Sequence, residues 1–316
     1  MVVDEGILLT GGTGFIGGAV LHKLANTVVL GRSCPFGFSG TYIKRELSSN
    51  ADYKGCFDGI NTIIHCAARV HIMNEKASDP LKSFREVNVA GSLNLARQAV
   101  ESGVKRFIFI STVKVNGETT QEYGPYTASD KPAPEDPYAI SKYEAEIGLL
   151  KIAKETGLEV VIIRPALVYG AGVKGNFLNL LKLSKSYLPL PFGSIHNARS
   201  ILYLGNLVDL ITTCIDHSNA PGKVFLASDG DDVSLSRLIL MIRKAMGKPA
   251  LLLPVPIILF ELLGRLIGKT DVVDRLAGDL QVESNATKKL LGWVPPYTVE
   301  QGIKITVSDF MRRTNV

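Results

Sequence analysis

The stretch LLTGGTGFIGGAVLHKLANTVVLGRS, residues 8–33, joins an apolar strand, a glycine-rich turn, a helix and a second apolar strand. Its glycines Gly11, Gly14 and Gly17 are spaced three residues apart. The first permits a tight turn, the second lets the backbone approach a pyrophosphate, and the third lets the helix pack closely on the strand. Free N–H groups at the helix start add a partial positive charge. The stretch therefore predicts a dinucleotide-binding site, and a purely structural turn is the alternative.

The end of the second strand predicts which dinucleotide is bound. A carboxylate there accepts hydrogen bonds from the adenosine ribose and repels a 2′-phosphate, whereas an arginine attracts that phosphate. This chain has Arg32 at the position, followed by Ser33. We therefore expect NADP(H) to be preferred. NAD(H) is the alternative if Arg32 is only a solvated charge at the strand end.

Apolar strands alternate with helical patterns through the first half of the chain, which predicts an α/β fold. The expected architecture is a doubly wound parallel sheet (Rossmann) with a smaller C-terminal α/β substrate domain. The strand KVFLAS, residues 223–228, is expected to return to the sheet. The boundaries that follow are 1–165, with 205–228 returning, for the dinucleotide domain, and 166–204 with 229–316 for the substrate domain.

Composition excludes several classes of protein. The formal charge is +5 and the basic residues are dispersed, so no nucleic-acid partner is expected. The four cysteines are widely spaced, so we predict reduced thiols, no metal site and a cytoplasmic location without a secretory signal. The run ALLLPVPIILFELLG, residues 250–264, is too short for an integral membrane segment and is expected to be buried, with peripheral membrane contact as the alternative.

The run PYAISK, residues 137–142, places Tyr138 and Lys142 four residues apart, on one face of a helix. A nearby ammonium favours the phenolate and is expected to lower the pKa of the Tyr138 phenol towards the working range of an acid–base catalyst. Ser111 and Thr112 follow a strand and offer a hydroxyl at its carboxyl end. Together these residues predict a catalytic site.

At this point the chain resembles the extended short-chain dehydrogenases/reductases, in their nucleoside-diphosphate-sugar branch. The resemblance covers nearly the whole chain. It is carried by GGTGFIG (11–17), HCAA (65–68), NVAGSLNL (88–95), STVKVNG (111–117), PYAISK, IRPALVYGAG (163–172), RSILYLGNLVDLI (199–211) and ATKKLLGW (286–293).

The resemblance implies a role for each matching residue. Tyr138 would be the acid–base, Lys142 would bind the nicotinamide ribose, and Thr112, with Ser111 beside it, would hold the reacting oxygen. Arg275 is the least specific match, since it could be a surface charge. The implied cofactor-binding set is Gly11, Thr13, Gly14, Phe15, Ile16, Gly17, Arg32, Ser33, Glu46, Leu47, Ala67, Ala68, Asn88, Ser111, Tyr138, Lys142 and Pro165. The implied substrate-binding set is Thr112, Val113, Tyr138, Asn176, Arg199 and Arg275.

Several reactions share this framework. The family's 4,6-dehydratases place Asp and Glu directly after the catalytic Thr, where this chain has Val113 and Lys114, so dehydration is not expected. Arg32 and the run AARVHIMNE (67–75) favour NADPH-dependent reduction of the 4-keto group of a UDP-2-acetamido-2,6-dideoxy-4-hexulose, as in O-antigen or capsule synthesis. The alternative is an NAD-dependent 4-epimerase of a free or lipid-linked UDP-N-acetylhexosamine. A redox-silent NADP-binding regulator is a third possibility.

The partners that follow are a UDP-sugar substrate and a second copy of the chain. In the family, helices corresponding to residues 80–102 and 136–156 form a homodimer interface. The same helices also need a face that packs on the sheet, so periodicity does not test the homodimer.

Overall fold

Seven parallel strands form the central sheet, in the order β3-β2-β1-β4-β5-β6-β9. The computed structural model describes residues 6–314, apart from 25, 71–78, 123, 267 and 269. Five strands, namely β1, β2, β4, β5 and β6, match apolar runs predicted as strands in the first half of the chain. The predicted returning strand is β9, which lies at the edge of the sheet beside β6. The strands are β1 (Gly6–Thr10), β2 (Thr27–Gly31), β3 (Tyr42–Lys44), β4 (Ile60–His65), β5 (Arg106–Ile110), β6 (Glu159–Pro165) and β9 (Val224–Ala227).

The central strands are buried on both faces because helices cover both sides of the sheet. Every residue of β5 is buried, and so is every residue of β6 after its first. One core cluster packs β1, β5 and β6 against the helix Leu204–Asp216, and a second packs the other face against Ser92–Glu101 and Pro137–Thr156. A parallel sheet covered on both faces is the doubly wound α/β architecture. The predicted fold class is confirmed.

Helices connect the strands and extend beyond the sheet. The helix that carries Tyr138 begins where the Asp136 side chain accepts a hydrogen bond from the Ala139 N–H, and it ends at Gly157 with φ of 79°. The helices are α1 (Phe15–Lys23), α2 (Pro80–Phe84), α3 (Ser92–Glu101), α4 (Pro137–Thr156), α5 (Gly175–Ser184), α6 (Leu204–Asp216), α7 (Leu235–Ala245), α8 (Ile257–Leu266), α9 (Thr270–Ala277), α10 (Asn285–Leu291) and α11 (Val299–Thr314).

Three features differ from the sequence prediction. The short strand β3 and the strand β7 (Leu167–Tyr169) were not predicted, because three residues are too few for a clear periodicity. The predicted helix 80–102 contains a π-helical segment, Arg85–Gly91, between α2 and α3. Such wider turns are frequent at functional sites.

A second layer lies beyond the sheet. Strand β7 pairs with β8 (Ile201–Tyr203) in a small parallel sheet, and a hydrophobic cluster packs these strands against α5, α7 and α11. The segment 250–264 does not form one buried unit as expected, since α8 leaves much of its apolar surface exposed. Within the described ranges, the structure contains no helix that is both long and apolar enough to cross a membrane.

Candidate functional site

The glycine-rich turn after β1 forms a cradle that has no room for side chains. Gly11 has a φ of 76°, and a Cβ there would lie 2.6 Å from the backbone nitrogen of Ala67. A Cβ on Gly17 would lie 2.2 Å from the Gly11 carbonyl oxygen, and the Gly14 N–H donates to that same oxygen at 2.8 Å. Thr13 and Gly14 are exposed, while Phe15 and Ile16 pack against the core. The cradle therefore fits the pyrophosphate of a dinucleotide.

The carboxyl end of β4 forms the adjoining wall of the cradle. The Thr10 hydroxyl hydrogen-bonds the His65 Nδ1 at 2.8 Å and accepts from the Ala67 N–H at 3.2 Å. The other imidazole nitrogen lies 2.8 Å from the Ser92 hydroxyl. Burial, assisted by the Lys142 charge, lowers the pKa of His65 to about 3. His65 is thus a neutral residue that fixes the strand end beside the cradle.

Asn88, in the π-helical segment, ties the loop after β4 to the helix of the catalytic tyrosine. Its side-chain oxygen accepts from the Arg69 N–H at 2.7 Å, and its amide donates to the Arg69 carbonyl and to the Ser141 hydroxyl, both at 3.0 Å. Ser141 in turn donates to the Tyr138 carbonyl at 2.7 Å. Asn88 therefore positions the path of residues 66–70, including Ala67 and Ala68, against α4. A cofactor contact by Asn88 stays a prediction.

The positions predicted to hold the adenosine lie along the ends of β2 and β3. Arg32 and Ser33 are exposed immediately after β2, and Glu46 is exposed after β3. Leu47 packs against Gly91, where a Cβ would approach the Leu47 carbonyl carbon to 3.0 Å. Arg32 is therefore free of burial at the place where a ribose phosphate would arrive.

Tyr138 and Lys142 lie one turn apart on α4. The Tyr138 ring packs edge-on against Phe84, with the ring centroids 6.2 Å apart. The Lys142 Nζ lies 4.1 Å from the centroid of the Phe109 ring, and the lysine is buried at the carboxyl ends of β4 and β5. Burial lowers the pKa of Lys142 to about 8, against the opposing charges of Cys66 and Glu146.

The expected lowering of the Tyr138 pKa is wrong for this structure. Burial, followed by the negative charge of Asp136, raises the pKa of the phenol above its ordinary value. The physical reason is that removal from water and the Asp136 carboxylate both disfavour the phenolate. Tyr138 is therefore held as a neutral phenol, the form that donates a proton.

The two hydroxyls after β5 have different surroundings. The buried Ser111 hydroxyl donates to the Glu146 carboxylate, and the predicted catalytic and cofactor-binding roles of Ser111 stay predictions. Thr112 is partly exposed at the start of the short helical turn Val113–Val115, where its hydroxyl accepts from the Lys114 N–H at 3.3 Å. That weak local contact leaves the Thr112 hydroxyl as the one that can meet a substrate oxygen.

A buried polar network lies beneath these hydroxyls, and the sequence analysis did not identify it. The Arg164 guanidinium donates to both oxygens of the Glu146 carboxylate, at 3.0 and 2.5 Å, and to the Asn116 side chain at 3.0 Å. Two signals could have revealed it. Arg164 is a charge inside the apolar strand EVVIIRP, and Glu146 continues the four-residue spacing of Tyr138 and Lys142.

Lys114 occupies the position where the resemblance would place a dehydratase carboxylate. Its Nζ lies 2.6 Å from Asp136 and 2.8 Å from Glu118. Burial lowers the pKa of Lys114, but the hydrogen bonds to these two carboxylates outweigh it and the net shift is upward. The Lys114–Asp136 pair joins the turn that carries Thr112 to the start of the helix that carries Tyr138.

The residues predicted to bind substrate do not form one cluster. Arg199 is largely buried and its Nη1 donates to the Gly278 carbonyl at 3.0 Å. Asn176 is exposed in the first turn of α5. The Val113 side chain is buried among Ala166, Leu226, Leu280 and Val282, and its contact with substrate stays a prediction. The side chain of Arg275 and residues 71–75 of AARVHIMNE lie outside what the structure describes.

A cavity of about 560 Å³ opens beside Arg199. Gly278, whose carbonyl Arg199 binds, is part of its lining. The other walls come from three parts of the chain. The loop after β5 contributes Thr119 and Gln121, and the segment before Arg199 contributes Ser194, Ile195 and His196. Helices α8 and α9 contribute Ile257, Glu261, Val273 and Ala277. Its size and its place beside the loop that follows Thr112 suit a small polar ligand.

Comparisons with known proteins agree with this geometry. The family model described as the NAD dependent epimerase/dehydratase family matches residues 7–227. UDP-glucose 4-epimerase of Vibrio cholerae is 47% identical, over 99% of this chain and 98% of the relative. A second relative, N-acetyl-alpha-D-glucosaminyl-diphospho-ditrans,octacis-undecaprenol 4-epimerase of Escherichia coli O157:H7, is 26% identical over 96% of this chain and 95% of its own length.

A solved structure shares the fold. The crystal structure of UDP-glucose 4-epimerase with UDP-glucose from Thermotoga maritima superposes with a TM-score of 0.76 at 23% identity, covering 98% of this chain and 99% of that one. The matched family region contains the glycine cradle and the Tyr138–Lys142 pair. On its family match and on its whole-length relative, the chain belongs to the NAD dependent epimerase/dehydratase family.

Proposed function

We propose that this protein is a nucleotide-sugar 4-epimerase that works with NAD(H) and acts on a UDP-hexose. One observation carries the proposal: the Lys114–Asp136 pair joins the turn that begins at Thr112 to the start of α4, which carries Tyr138 and Lys142 one turn apart. The two positions after Thr112 offer no carboxylate. Such a site can move a proton and a hydride at one carbon but lacks the acid–base pair that the resemblance assigns to dehydration. The 47% identity with a UDP-glucose 4-epimerase over the whole chain supports the same reaction.

The residues would divide the work between binding and proton transfer. The residues of the glycine cradle would hold the nicotinamide cofactor, which would supply a hydride acceptor and donor for carbon 4 of the sugar, and return of the hydride to the opposite face of the 4-keto sugar would give the epimer. The Tyr138 phenol would first lose its own proton, and the phenolate would take the hydroxyl proton as the hydride leaves and give it back as the hydride returns. Thr112 would donate a hydrogen bond to the sugar oxygen while charge develops there. The Lys142 ammonium, one helical turn away, would favour this phenolate against the burial that raises the pKa of the phenol.

The substrate would lie between the two layers of the fold. We propose that the cavity beside Arg199 receives the sugar nucleotide, with the guanidinium of Arg199 facing a phosphate, and that Asn176 in the first turn of α5 contacts another part of the same ligand. Arginine suits this role because its planar fork meets phosphate oxygens bidentately. The relatives and the solved structure are described with UDP-glucose or with an N-acetylglucosaminyl diphosphate lipid. These are the substrates to test first.

A second candidate is the NADPH-dependent 4-ketoreductase predicted from the sequence. Two observations favour it: Arg32 is exposed at the carboxyl end of β2, where a 2′-phosphate would arrive, and Tyr138 is held as the proton-donating phenol. The same fold would carry out this reaction with the same three residues, Thr112, Tyr138 and Lys142. The difference is a net reduction, with NADPH consumed.

The purified chain, incubated with UDP-glucose or UDP-N-acetylglucosamine and NAD⁺, should form the corresponding 4-epimer without net change in nicotinamide absorbance. Absence of the epimer, together with oxidation of NADPH by a UDP-4-keto-6-deoxy sugar, would replace the epimerase by the reductase. Arg32→Ala separates the cofactors. Under the epimerase proposal it leaves NAD⁺ affinity nearly unchanged, whereas a selective loss of NADPH affinity favours the second candidate.

A further inference from the structure

Helix α8 presents an apolar face to solvent. Ile258, Leu259, Leu262, Leu263 and Leu266 are each at least half exposed, and Leu266 is 83% exposed. At 3.6 residues per turn these five positions cover about 140° of the helix circumference. This face (the α8 face) contains only leucine and isoleucine. Exposed apolar patches of this kind on a folded protein mark an interaction surface.

The opposite side of α8 holds the helix against the protein. Phe260 stacks on Phe192 with the ring centroids 5.7 Å apart, and Ile257 and Glu261 line the cavity beside Arg199. The orientation of the α8 face is therefore fixed by packing on the other side of the same helix. A ligand that covers this face would also lie next to the cavity.

Two loops extend the α8 face. The Leu253 N–H donates to the Leu190 carbonyl at 2.8 Å, and the Leu190 N–H donates to the Leu251 carbonyl at 3.0 Å, so the two loops run side by side. Both carry exposed apolar side chains, namely Tyr187, Leu188, Leu251 and Leu253. The buried Arg243 binds carbonyls of both loops, including those of Leu188 and Leu251, at 2.6 and 2.9 Å.

Cations surround this apolar surface. The Lys248 Nζ lies 3.3 Å from the centroid of the Tyr187 ring, and Arg265 is exposed beside Leu266 on α8. Lys182 and Lys244 are exposed in the last turns of α5 and α7, the helices that precede the two loops. Among the described side chains of α8, the acidic one is Glu261, and it lines the cavity on the other side of the helix from the α8 face. Leucine, tyrosine and flanking cations together match the interfacial region of an anionic bilayer.

We propose that this protein docks peripherally on anionic lipid bilayers through the α8 face and its two flanking loops, with α8 lying in the plane of the interface. A ten-residue helix is too short to cross a bilayer but long enough to bury one apolar face among the acyl chains. This inference goes beyond the proposed function and holds whichever sugar is the substrate. It places the cavity lined by Ile257 and Glu261 next to the membrane surface.

A second copy of the chain fits this surface less well than lipid does. A two-fold interface uses the same patch on both copies, so a surface that carries Arg265 and Lys248 would face a surface that carries the same two cations. Like charges at the rim oppose such a contact, whereas anionic headgroups neutralise them. The chain also exposes Ile147 and Leu150 on α4, the helix that the family resemblance assigns to a homodimer.

The test is co-sedimentation of the full chain with vesicles of phosphatidylcholine alone or mixed with phosphatidylglycerol. We expect binding to the mixed vesicles that weakens with salt. Leu259→Gln/Leu263→Gln should lower the partition coefficient about 10- to 100-fold, because the variant lacks two leucine side chains that the proposal buries in the bilayer. The matched control, Ile147→Gln/Leu150→Gln on α4, should bind like the unchanged chain. Thermal unfolding of each variant checks that it is folded, and exposed positions tolerate such changes.

Failure to bind mixed vesicles overturns the proposal, and so does binding that both double variants reduce equally. Sedimentation velocity without lipid supplies an independent measurement. Suppose that the chain forms an oligomer, and that Leu259→Gln/Leu263→Gln disrupts it while the α4 variant does not. The α8 face would then be a contact between copies, which also overturns the bilayer assignment. Arg265→Gln should reduce binding severalfold to anionic vesicles only.

Discussion

The Glu146 carboxylate lies 2.5 Å from the Arg164 guanidinium, and the two side chains are only 2% and 4% exposed. The same carboxylate accepts a hydrogen bond from Ser111, and Arg164 donates to Asn116. The pair therefore links α4 to both ends of the turn that carries Thr112. In an intact buried ion pair, the attraction between the two charges offsets the free-energy cost of removing them from water. Removing one partner leaves the other charge buried without compensation, which destabilises the folded protein.

Glu146→Gln is expected to lower the free energy of unfolding by about 3–5 kcal/mol, because Arg164 then stays buried without its counter-charge. The matched control is Glu144→Gln, two residues away on α4. It removes a half-exposed pair with Arg85 and should cost about 0–1 kcal/mol. Urea unfolding followed by circular dichroism measures both. Equal losses for the two variants would mean that the buried network does not hold the site together.

Tyr138→Phe should bind cofactor normally and lose turnover by about 10²–10⁴-fold, since it removes only the proton-transferring oxygen. Tyr143→Phe, one turn further along α4, is the control and should retain activity. Cofactor affinity by fluorescence titration and turnover by product analysis separate the two effects. A Tyr138→Phe enzyme with near-normal turnover would remove the phenol from the proposed mechanism.

The pH dependence of kcat/KM should reflect Lys142. Its pKa is lowered to about 8, so the ammonium that Tyr138 requires is present below that pH and is lost above it. Activity is therefore expected to fall as pH rises through about 8. Lys142→Arg keeps a charged side chain throughout this range and should abolish the fall, although its absolute rate is lower because the guanidinium does not fit the lysine's place. An unchanged alkaline fall in Lys142→Arg would assign the titration to another group.

Gly17→Ala tests the cradle. A Cβ there would lie 2.2 Å from the Gly11 carbonyl oxygen, so the turn must open, at a cost of about 1–3 kcal/mol in cofactor binding or folding. The control is Gly18→Ala, where the nearest atom would be 3.5 Å away and the change favours the helix. Calorimetric titration with NAD⁺ compares them. Equal affinity in the two variants would show that the close approach of α1 to β1 is not needed for binding.

The sequence predicted the parallel sheet because each strand from β4 to β6 is a near-continuous apolar run bounded by turns. Because the carboxyl ends of parallel strands lie on one edge, the glycine cradle and the Ser111–Thr112 hydroxyls were expected at the same edge of the sheet. The meeting of the cradle with Tyr138 and Lys142 stays a prediction. Residues with local signals, such as Gly11 and Gly17, lie where the sequence pattern placed them. The homodimer, the sugar and the domain boundaries stay predictions.

What the sequence could not predict depends on contacts between distant segments. Ser111 and Thr112 are adjacent and chemically similar, and only the position of Glu146, thirty-five residues further along, distinguishes them. The Tyr138 pKa also failed, because spacing shows the nearby lysine but not the burial that opposes it. Val113 follows the same rule: its neighbours Leu226 and Leu280 come from the far end of the chain.

Arg243 is fully buried and donates to four backbone carbonyls, those of Ser186, Leu188, Pro249 and Leu251. Every acceptor belongs to the main chain, so the hydrogen bonds that attach both loops to Arg243 do not depend on the side chains of those loops. Substituting the outward-pointing side chains of the loops would therefore change what this surface contacts without weakening its attachment. Replacing Arg243 would instead remove all four of these hydrogen bonds at once.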